Sequence, residues 1–125
     1  MSKYVDLLAR ILMAAIFVMA GISKISGYAG TQSYMASQGV PGMLLPLVIA
    51  LELGGGLLLI AGWKTRYIAF ALAGFSIIAG VIFHSNFSDH TQSIMFMKNL
   101  AMAGGLLLLS VHGAGGLSLD ARTRK

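Results

Sequence analysis

The segment Met43–Gly62, MLLPLVIALELGGGLLLIAG, decides the fold of this 125-residue chain. It is apolar over the ~20 residues that an α-helix needs to cross the hydrocarbon core of a bilayer. It contains one charged residue, Glu52, and no other charge lies within ten residues on either side. A charge at mid-bilayer costs roughly 2.5–3.5 kcal/mol on insertion scales. We therefore expect the Glu52 carboxylate to be paired, neutralised or used in function.

Three further segments share this apolar character. With 57% hydrophobic residues, 10% charged residues and a mean hydropathy of +0.81, the composition excludes an ordinary soluble domain. We predict an all-α integral membrane four-helix bundle, formed by a single domain over residues 1–125. A cleaved signal peptide is the alternative for the first segment, but Asp6 and Arg10 interrupt its expected pattern and three spans follow, so we favour a membrane anchor. The predicted spans are about Val5–Ile25, Met43–Gly62, Tyr67–Phe83 and Ile94–Val111.

The basic residues predict the orientation of these spans. Because positive charge is enriched on the cytoplasmic side, we expect both termini to be cytoplasmic. The net charge of +5 then fits an attraction to anionic headgroups. No basic run with interleaved aromatic residues occurs, so we expect no nucleic-acid partner. The residues on the predicted inner side are Lys3, Arg10, Lys64, Arg66, Arg122, Arg124 and Lys125, which leaves Lys24 and Lys98 for the other side.

The chain has no cysteine, which excludes a thiol–disulfide centre, a thiolate metal site and an iron–sulfur cluster carried by its own residues. His84 and His112 end successive spans on opposite sides of the membrane, so they cannot share a haem. His90 lies beside Asp89 in a loop, where a solvated side chain is a more ordinary state than a metal ligand. We predict no metal site.

The connections between spans carry local signals. Thr31 and Gly39 bracket a segment that predicts one or two turns of interfacial helix, with Thr31 as the N-cap and Gly39 just past the end. Pro41 and Pro46 are expected to open the second span. The short link between the second and third spans makes them antiparallel neighbours.

Two short motifs recur along the chain. TQSYM at 31–35 is echoed by TQSIM at 91–95, and GGLLL at 55–59 by GGLLL at 104–108. Two duplicated helical hairpins would produce this pattern, and coincidence in an apolar sequence is the alternative. Small residues let helices approach closely. The expected helix-packing glycines are Gly21, Gly54, Gly55, Gly56, Gly104 and Gly105.

Polar residues inside the spans indicate a site. At 1.5 Å per residue, Glu52 lies about 12 Å below the outer surface, and the residues nearest that surface are Lys24, His84, Lys98 and Asn99. The lysines could descend to pair with Glu52, or they could extend to the headgroups and leave Glu52 protonated or hydrogen-bonded by Asn99 or Ser23. In either case we expect a polar pocket around Glu52 that opens outward beneath Thr31–Ser37. Arg10, with Asp6, is interpreted as a topology signal.

Several of these pieces together resemble the DoxX family over nearly the whole chain. They are AGISK at 20–24, Glu52 with its glycine cluster, Lys98-Asn99 and GAGGLSLD at 113–120. The resemblance implies a small bacterial inner-membrane four-helix bundle. It places the chain in a family named for a quinone-linked thiosulfate-oxidising complex, with members associated with thiol, oxidative or quinone stress. The positions that match the family pattern are Arg10, Lys24, Glu52, Lys98 and Asn99.

Three alternative functions are consistent with these residues and with the resemblance. In the first, the chain is a redox- or electrophile-stress-associated subunit that holds a quinone, with Lys24, Lys98 or His84 donating hydrogen bonds and Glu52 exchanging a proton. Other membrane or redox proteins, or a bound cofactor, would then supply the chemistry, and the chain alone would not be catalytic. In the second, it is a small proton-coupled transporter of organic solutes, although lysines around Glu52 disfavour a cation. In the third, it is a scaffold for other membrane proteins or a homo-oligomer in the lipid bilayer.

Overall fold

The computed structural model describes residues 2–83 and 88–123, with the side chains of residues 3–83 and 88–121. All regular elements in these ranges are helices, and four of them are long and apolar enough to cross a membrane: Lys3–Ser26, Gly42–Ala61, Thr65–Phe83 and His90–His112. The predicted all-α membrane bundle is confirmed. The helices are α1 (Ser2–Ser26), α2 (Tyr28–Ser37), α3 (Gly42–Ala61), α4 (Thr65–Phe83), α5 (His90–His112) and α6 (Leu119–Thr123).

The last span begins earlier than its hydropathy indicates. Asp89 is the N-cap of α5, and its Oδ1 accepts a hydrogen bond from the Thr91 backbone N–H at 2.9 Å. The first turn of α5 is polar, so an apolar window cannot detect it. The predicted start at Ile94 is therefore four residues late.

The interfacial helix α2 is present, but the predicted N-cap is wrong. Thr31 lies inside the helix, because both its backbone N–H and its hydroxyl donate to the Gly27 carbonyl at 2.9 Å. The helix begins at Tyr28, after Gly27. Its end agrees with the prediction: Gly39 has a φ of +81°, the left-handed conformation that ends helices and favours glycine.

The second span, α3, is not a uniform α-helix. It opens with a 3₁₀ turn at Gly42–Leu44 after Pro41, continues as an α-helix over Leu45–Ile49 and widens into a π turn at Ala50–Gly54. It then returns to an α-helix over Gly55–Ala61. The two prolines stand at the opening, as predicted. A π turn is rare and frequently occurs at functional sites, and here it contains Glu52.

The helices associate in two pairs. α1 packs along α3 and α4 packs along α5, whereas α3 meets α4 and α1 meets α5 less extensively. Two duplicated hairpins would pair in this way, and duplication remains a hypothesis. The side chains at the centre of the core are Phe17, Leu59, Leu72 and Leu106, each at most 2% exposed. Other large apolar side chains such as Leu12, Met19 and Leu108 are exposed, as expected where lipid replaces water.

Close approach of α1 and α3 depends on glycine. A Cβ on Gly21 would lie 2.8 Å from Leu53 Cβ, and one on Gly56 would lie 2.7 Å from Val18 Cγ2. Of the other predicted packing glycines, two have close neighbours and two do not. Added Cβ atoms on Gly55 and Gly105 would meet Leu72 and Met13, but those on Gly54 and Gly104 would meet nothing within 4 Å.

Candidate functional site

A cavity of about 430 Å³ lies among all four spans beneath α2. Its volume is in the range of pockets that bind small organic ligands. Most of its lining is apolar, with contributions from Phe17, Val48, Phe75 and Met102. The cavity is therefore suited to an apolar molecule with a few polar atoms. We call this end of the bundle the cavity end.

One wall of the cavity carries a partly buried ion pair. Lys24 Nζ of α1 lies 2.7 Å from Glu52 Oε1 of α3, and the side chains are 28% and 6% exposed. Both residues line the cavity. Of the two arrangements that the sequence left open, the structure contains the pairing of Lys24 with Glu52.

The backbone explains why this pair forms. Gly21 lets α1 approach α3 at Leu53, the residue after Glu52. Lys24 follows Gly21 by three residues, so the two lie on the same face of α1. The π turn at Ala50–Gly54 sets the local geometry of Glu52. The ion pair thus depends on a glycine contact and on an irregular turn in the facing helix.

The opposite helix pair supplies a second polar region. Asn99 Nδ2 of α5 donates to the Ser76 carbonyl of α4 at 3.1 Å, and both residues line the cavity. The Ser76 side chain is 1% exposed, and its hydroxyl has no hydrogen-bond partner in the described part of the chain. A buried hydroxyl without a partner costs free energy, so a ligand atom that bonded to it would be stabilised.

The predicted site residues are only partly brought together. Lys24, Glu52 and Asn99 line the same cavity, although Asn99 bonds to the α4 backbone and not to Glu52. Lys98 is exposed and does not line the cavity, so it is not the pocket residue that we predicted, and of the two arrangements left open it does not have the pairing with Glu52. One residue step rotates a side chain by about 100° around a helix, so Lys98 and Asn99 cannot share a face. His84 lies outside the described residues.

Helix α2 covers the cavity. Its residues Thr31, Tyr34 and Met35 belong to the lining, and Met35 is buried. The Tyr34 ring stacks on the Phe83 ring with centroids 5.4 Å apart, and its hydroxyl donates to the Phe83 carbonyl at 3.4 Å. These contacts hold α2 to the end of α4.

The opposite end of the bundle is closed by a set of contacts that the sequence reading missed. Arg10 is completely buried; its Nη1 donates to the carbonyls of Leu59 and Ile60, each at 2.8 Å, and its Nη2 donates to the Leu117 carbonyl. Arg10 is therefore a structural residue, beyond the topology signal that we predicted. We call these residues, with Asp120, the clasp.

Asp120 completes the clasp from the C-terminal segment. Its carboxylate accepts hydrogen bonds from the backbone N–H groups of Lys64 at 2.7 Å and Thr65 at 2.9 Å, so it caps the start of α4. The Asp120 N–H donates to the Gly62 carbonyl at 2.8 Å. Gly62 has a φ of +75°, and a Cβ there would crowd Arg10 and Ser118. The sign of these contacts in the sequence was the GAGGLSLD motif at 113–120. Its partners could not be predicted because they lie far away in the sequence.

The described ranges contain no group of three or more His, Asp or Glu side chains arranged to hold a metal ion. The chemistry available in the cavity is instead that of an ammonium, a carboxylate, an amide and a hydroxyl around an apolar space. Such groups can bind and orient a polar ring and can hold or release a proton.

Comparison with known proteins gives consistent relatives. The model of the family described as DoxX matches residues 5–85. The chain is 54% identical to "Inner membrane protein YqjF" of Escherichia coli (strain K12), over 91% of this chain and 88% of the relative. It is 37% identical to "Inner membrane protein YphA" of the same organism, over 93% and 88% of the two chains. It is 32% identical to "Putative oxidoreductase CatD" of Bacillus subtilis (strain 168), over 91% and 83%. No solved structure matches.

Proposed function

The chain belongs to the DoxX family of membrane proteins, and from that premise we propose that it is a redox- or electrophile-stress-associated membrane subunit that binds a quinone in its cavity. The observation that carries this proposal is the Lys24–Glu52 ion pair in the wall of a largely apolar cavity. The oxidoreductase name of the Bacillus subtilis relative supports the same direction.

A quinone suits this cavity because its ring is apolar while its carbonyl oxygens accept hydrogen bonds. Phe17, Phe75 and Met102 offer apolar and polarisable surface to a ring. The Lys24 ammonium can donate to one carbonyl oxygen and the Ser76 hydroxyl to another. The two donors come from different helix pairs, so a ligand with polar atoms at both ends of a ring fits better than a simple hydrocarbon.

The role proposed for the chain is to bind and to manage protons. Reduction of a quinone to a quinol takes up two electrons and two protons, one at each carbonyl oxygen. Glu52 can take a proton from water and deliver it to the oxygen that Lys24 holds, and water supplies the proton for the other oxygen. The electrons come from a partner oxidoreductase or a bound cofactor. Exchange of an organic cation at Glu52 is less well supported, because the carboxylate already has an ammonium 2.7 Å away.

Binding of a short-chain ubiquinone tests this function. In mild detergent, calorimetric titration of the purified protein should show saturable binding. Lys24→Met removes the proposed hydrogen bond to the quinone and should weaken binding about tenfold or more, since hydrogen bonds to charged groups are worth ~1.5–3 kcal/mol.

Lys98→Met is the matched control for that titration. Lys98 is a lysine at the same end of the bundle but exposed and outside the cavity. We expect wild-type affinity in this variant. Absence of saturable binding in the wild-type protein, or an equal loss in Lys98→Met, would contradict the proposal.

We further propose that the clasp end, where α1 begins and α6 lies, faces the cytoplasm and that the cavity end faces the periplasm. The basic side chains of Lys3, Lys64 and Arg66 at the clasp end support this orientation. A C-terminal fluorescent-protein fusion should be bright and a C-terminal alkaline phosphatase fusion inactive. The reverse result would invert the topology.

A further inference from the structure

A second cavity, of about 360 Å³, lies at the clasp end and plays no part in the proposed quinone site. It is formed where α4 begins, where α5 ends and where the chain turns toward α6. Its lining is Lys64, Thr65, Arg66, Tyr67, His112, Gly113, Ala114, Gly115 and Asp120.

The charged side chains that line this cavity differ in the hydrogen bonds and ion pairs that they form. Both oxygens of Asp120 already accept backbone N–H groups of the α4 cap. The exposed side chains of Lys64 and Arg66 form no ion pair within the described part of the chain. His112, also exposed, adds a third group able to donate to an anion. The cavity is therefore basic toward a ligand, with its one carboxylate committed to the backbone.

A buried hydroxyl gives an independent sign of a ligand. The Thr65 side chain is 0% exposed, and its Oγ1 has no hydrogen-bond partner in the described ranges. Thr65 belongs to the cavity lining, between the two cationic residues Lys64 and Arg66. Buried polar groups are nearly always satisfied in folded proteins, so an orphaned one beside a cavity indicates a missing partner.

The cavity also lies at the end of a candidate membrane span, where lipid headgroups are expected. The span of α4 begins at Thr65, and the aromatic residues Trp63 and Tyr67 flank this point with 40% and 77% of their surface exposed. Aromatic rings of this kind are enriched at the membrane–water interface. Basic pockets between helices at this level are suited to phospholipid headgroups.

We propose that this cavity binds a phosphate group, supplied by the headgroup of an anionic phospholipid. Arg66 presents a guanidinium able to make paired hydrogen bonds to two phosphate oxygens, and Lys64 adds a compact positive charge. The Thr65 hydroxyl donates to a further oxygen. Free phosphate shares this chemistry and is the alternative source.

Trp63 makes the proposal measurable, because it is the single tryptophan of the chain and the Lys64 Nζ lies 5.2 Å from its ring centroid. The full chain is reconstituted in phosphatidylcholine vesicles that contain either brominated phosphatidylglycerol or brominated phosphatidylcholine at the same mole fraction. Bromine quenches nearby tryptophan fluorescence. We expect stronger quenching by the anionic lipid at low mole fraction, with saturation.

Three variants distinguish specific binding at this cavity from a general attraction between basic surface residues and anionic lipid. Arg66→Gln should lower the preference for the anionic lipid about tenfold or more, because it removes paired hydrogen bonds between a charged donor and the phosphate. Thr65→Val should also lower it without loss of thermal stability, because it removes a hydroxyl that has no hydrogen-bond partner within residues 2–83 and 88–123. Lys3→Gln is the control, since Lys3 is an exposed basic residue at the same end, outside the cavity. It should retain the preference.

Equal quenching by the two brominated lipids in the wild-type protein would overturn the proposal. An equal loss in Lys3→Gln and Arg66→Gln would overturn it too, because that result would show diffuse charge attraction. Millimolar inorganic phosphate is added against chloride at matched ionic strength. Selective displacement by phosphate would support the phosphate site with a soluble source, and no displacement would support the lipid source.

Discussion

Arg10→Met is expected to remove most of the folded protein. The substitution deletes a completely buried guanidinium that donates to three carbonyls, those of Leu59, Ile60 and Leu117. Two of these carbonyls belong to the last turn of α3, where a helix leaves its acceptors unsatisfied. With about 1.5–3 kcal/mol for each hydrogen bond to a charged group, the loss is on the order of 5 kcal/mol. That is comparable with the whole stability of a small domain.

The measurement is a thermal unfolding scan in mild detergent, together with the monodisperse fraction on size exclusion. Arg10→Lys keeps the charge, but a single ammonium lacks the planar fork that bonds both chain segments at once, so we expect it to recover less than half of the loss. Lys3→Met removes an exposed basic side chain seven residues earlier on α1 and should be near wild type. An Arg10→Met protein as stable as Lys3→Met would contradict the clasp.

Lys24→Met has the second-largest expected effect on stability. It leaves the Glu52 carboxylate, 6% exposed, without its cation. Loss of one partner of a buried ion pair costs about 3–5 kcal/mol, and protonation of Glu52 would keep the cost near the lower figure. Glu52→Gln should be milder, because the 28%-exposed Lys24 side chain can extend toward the membrane surface.

Rescue by the double variant distinguishes an ion pair from simple packing. Lys24→Met combined with Glu52→Gln removes the uncompensated charge and should recover most of the midpoint lost in Lys24→Met. Lys98→Met, at an exposed position, should have no effect. If the double variant is no more stable than Lys24→Met alone, the two side chains do not stabilise each other as the structure indicates.

The spans could be predicted because membrane insertion is decided by local composition. A run of about 20 apolar residues forms a helix that spans the bilayer. The observed ends of three spans agree with the predicted ones within two residues. α5 differed because its first turn is polar and is capped by Asp89. The π turn of α3 left no composition signal, because the same residue types also form regular α-helix.

The candidate site could be predicted in part. Glu52 was evident because it stands alone in an apolar span. Its pairing with Lys24 required the approach of α1 to α3 at Gly21, a contact between residues far apart in the sequence. Ser76 gave no signal, since a lone serine in an apolar helix is common. The structural contacts of Arg10 could not be predicted either, because its partners lie 49, 50 and 107 residues away in the sequence.

Photolabelling tests whether the paired Lys24 and Glu52 form the wall of a ligand-binding cavity. The protein in native-like lipid is irradiated with a short-chain quinone that carries a diazirine, and the modified residues are located by mass spectrometry. We expect label on the cavity lining, such as Tyr34, Phe75 and Met102, and we expect this label to be lost when unmodified quinone is added in excess. If the label is confined to exposed apolar side chains such as Met19, Met97 and Val111, and does not decrease when unmodified quinone is added, the cavity does not bind the quinone.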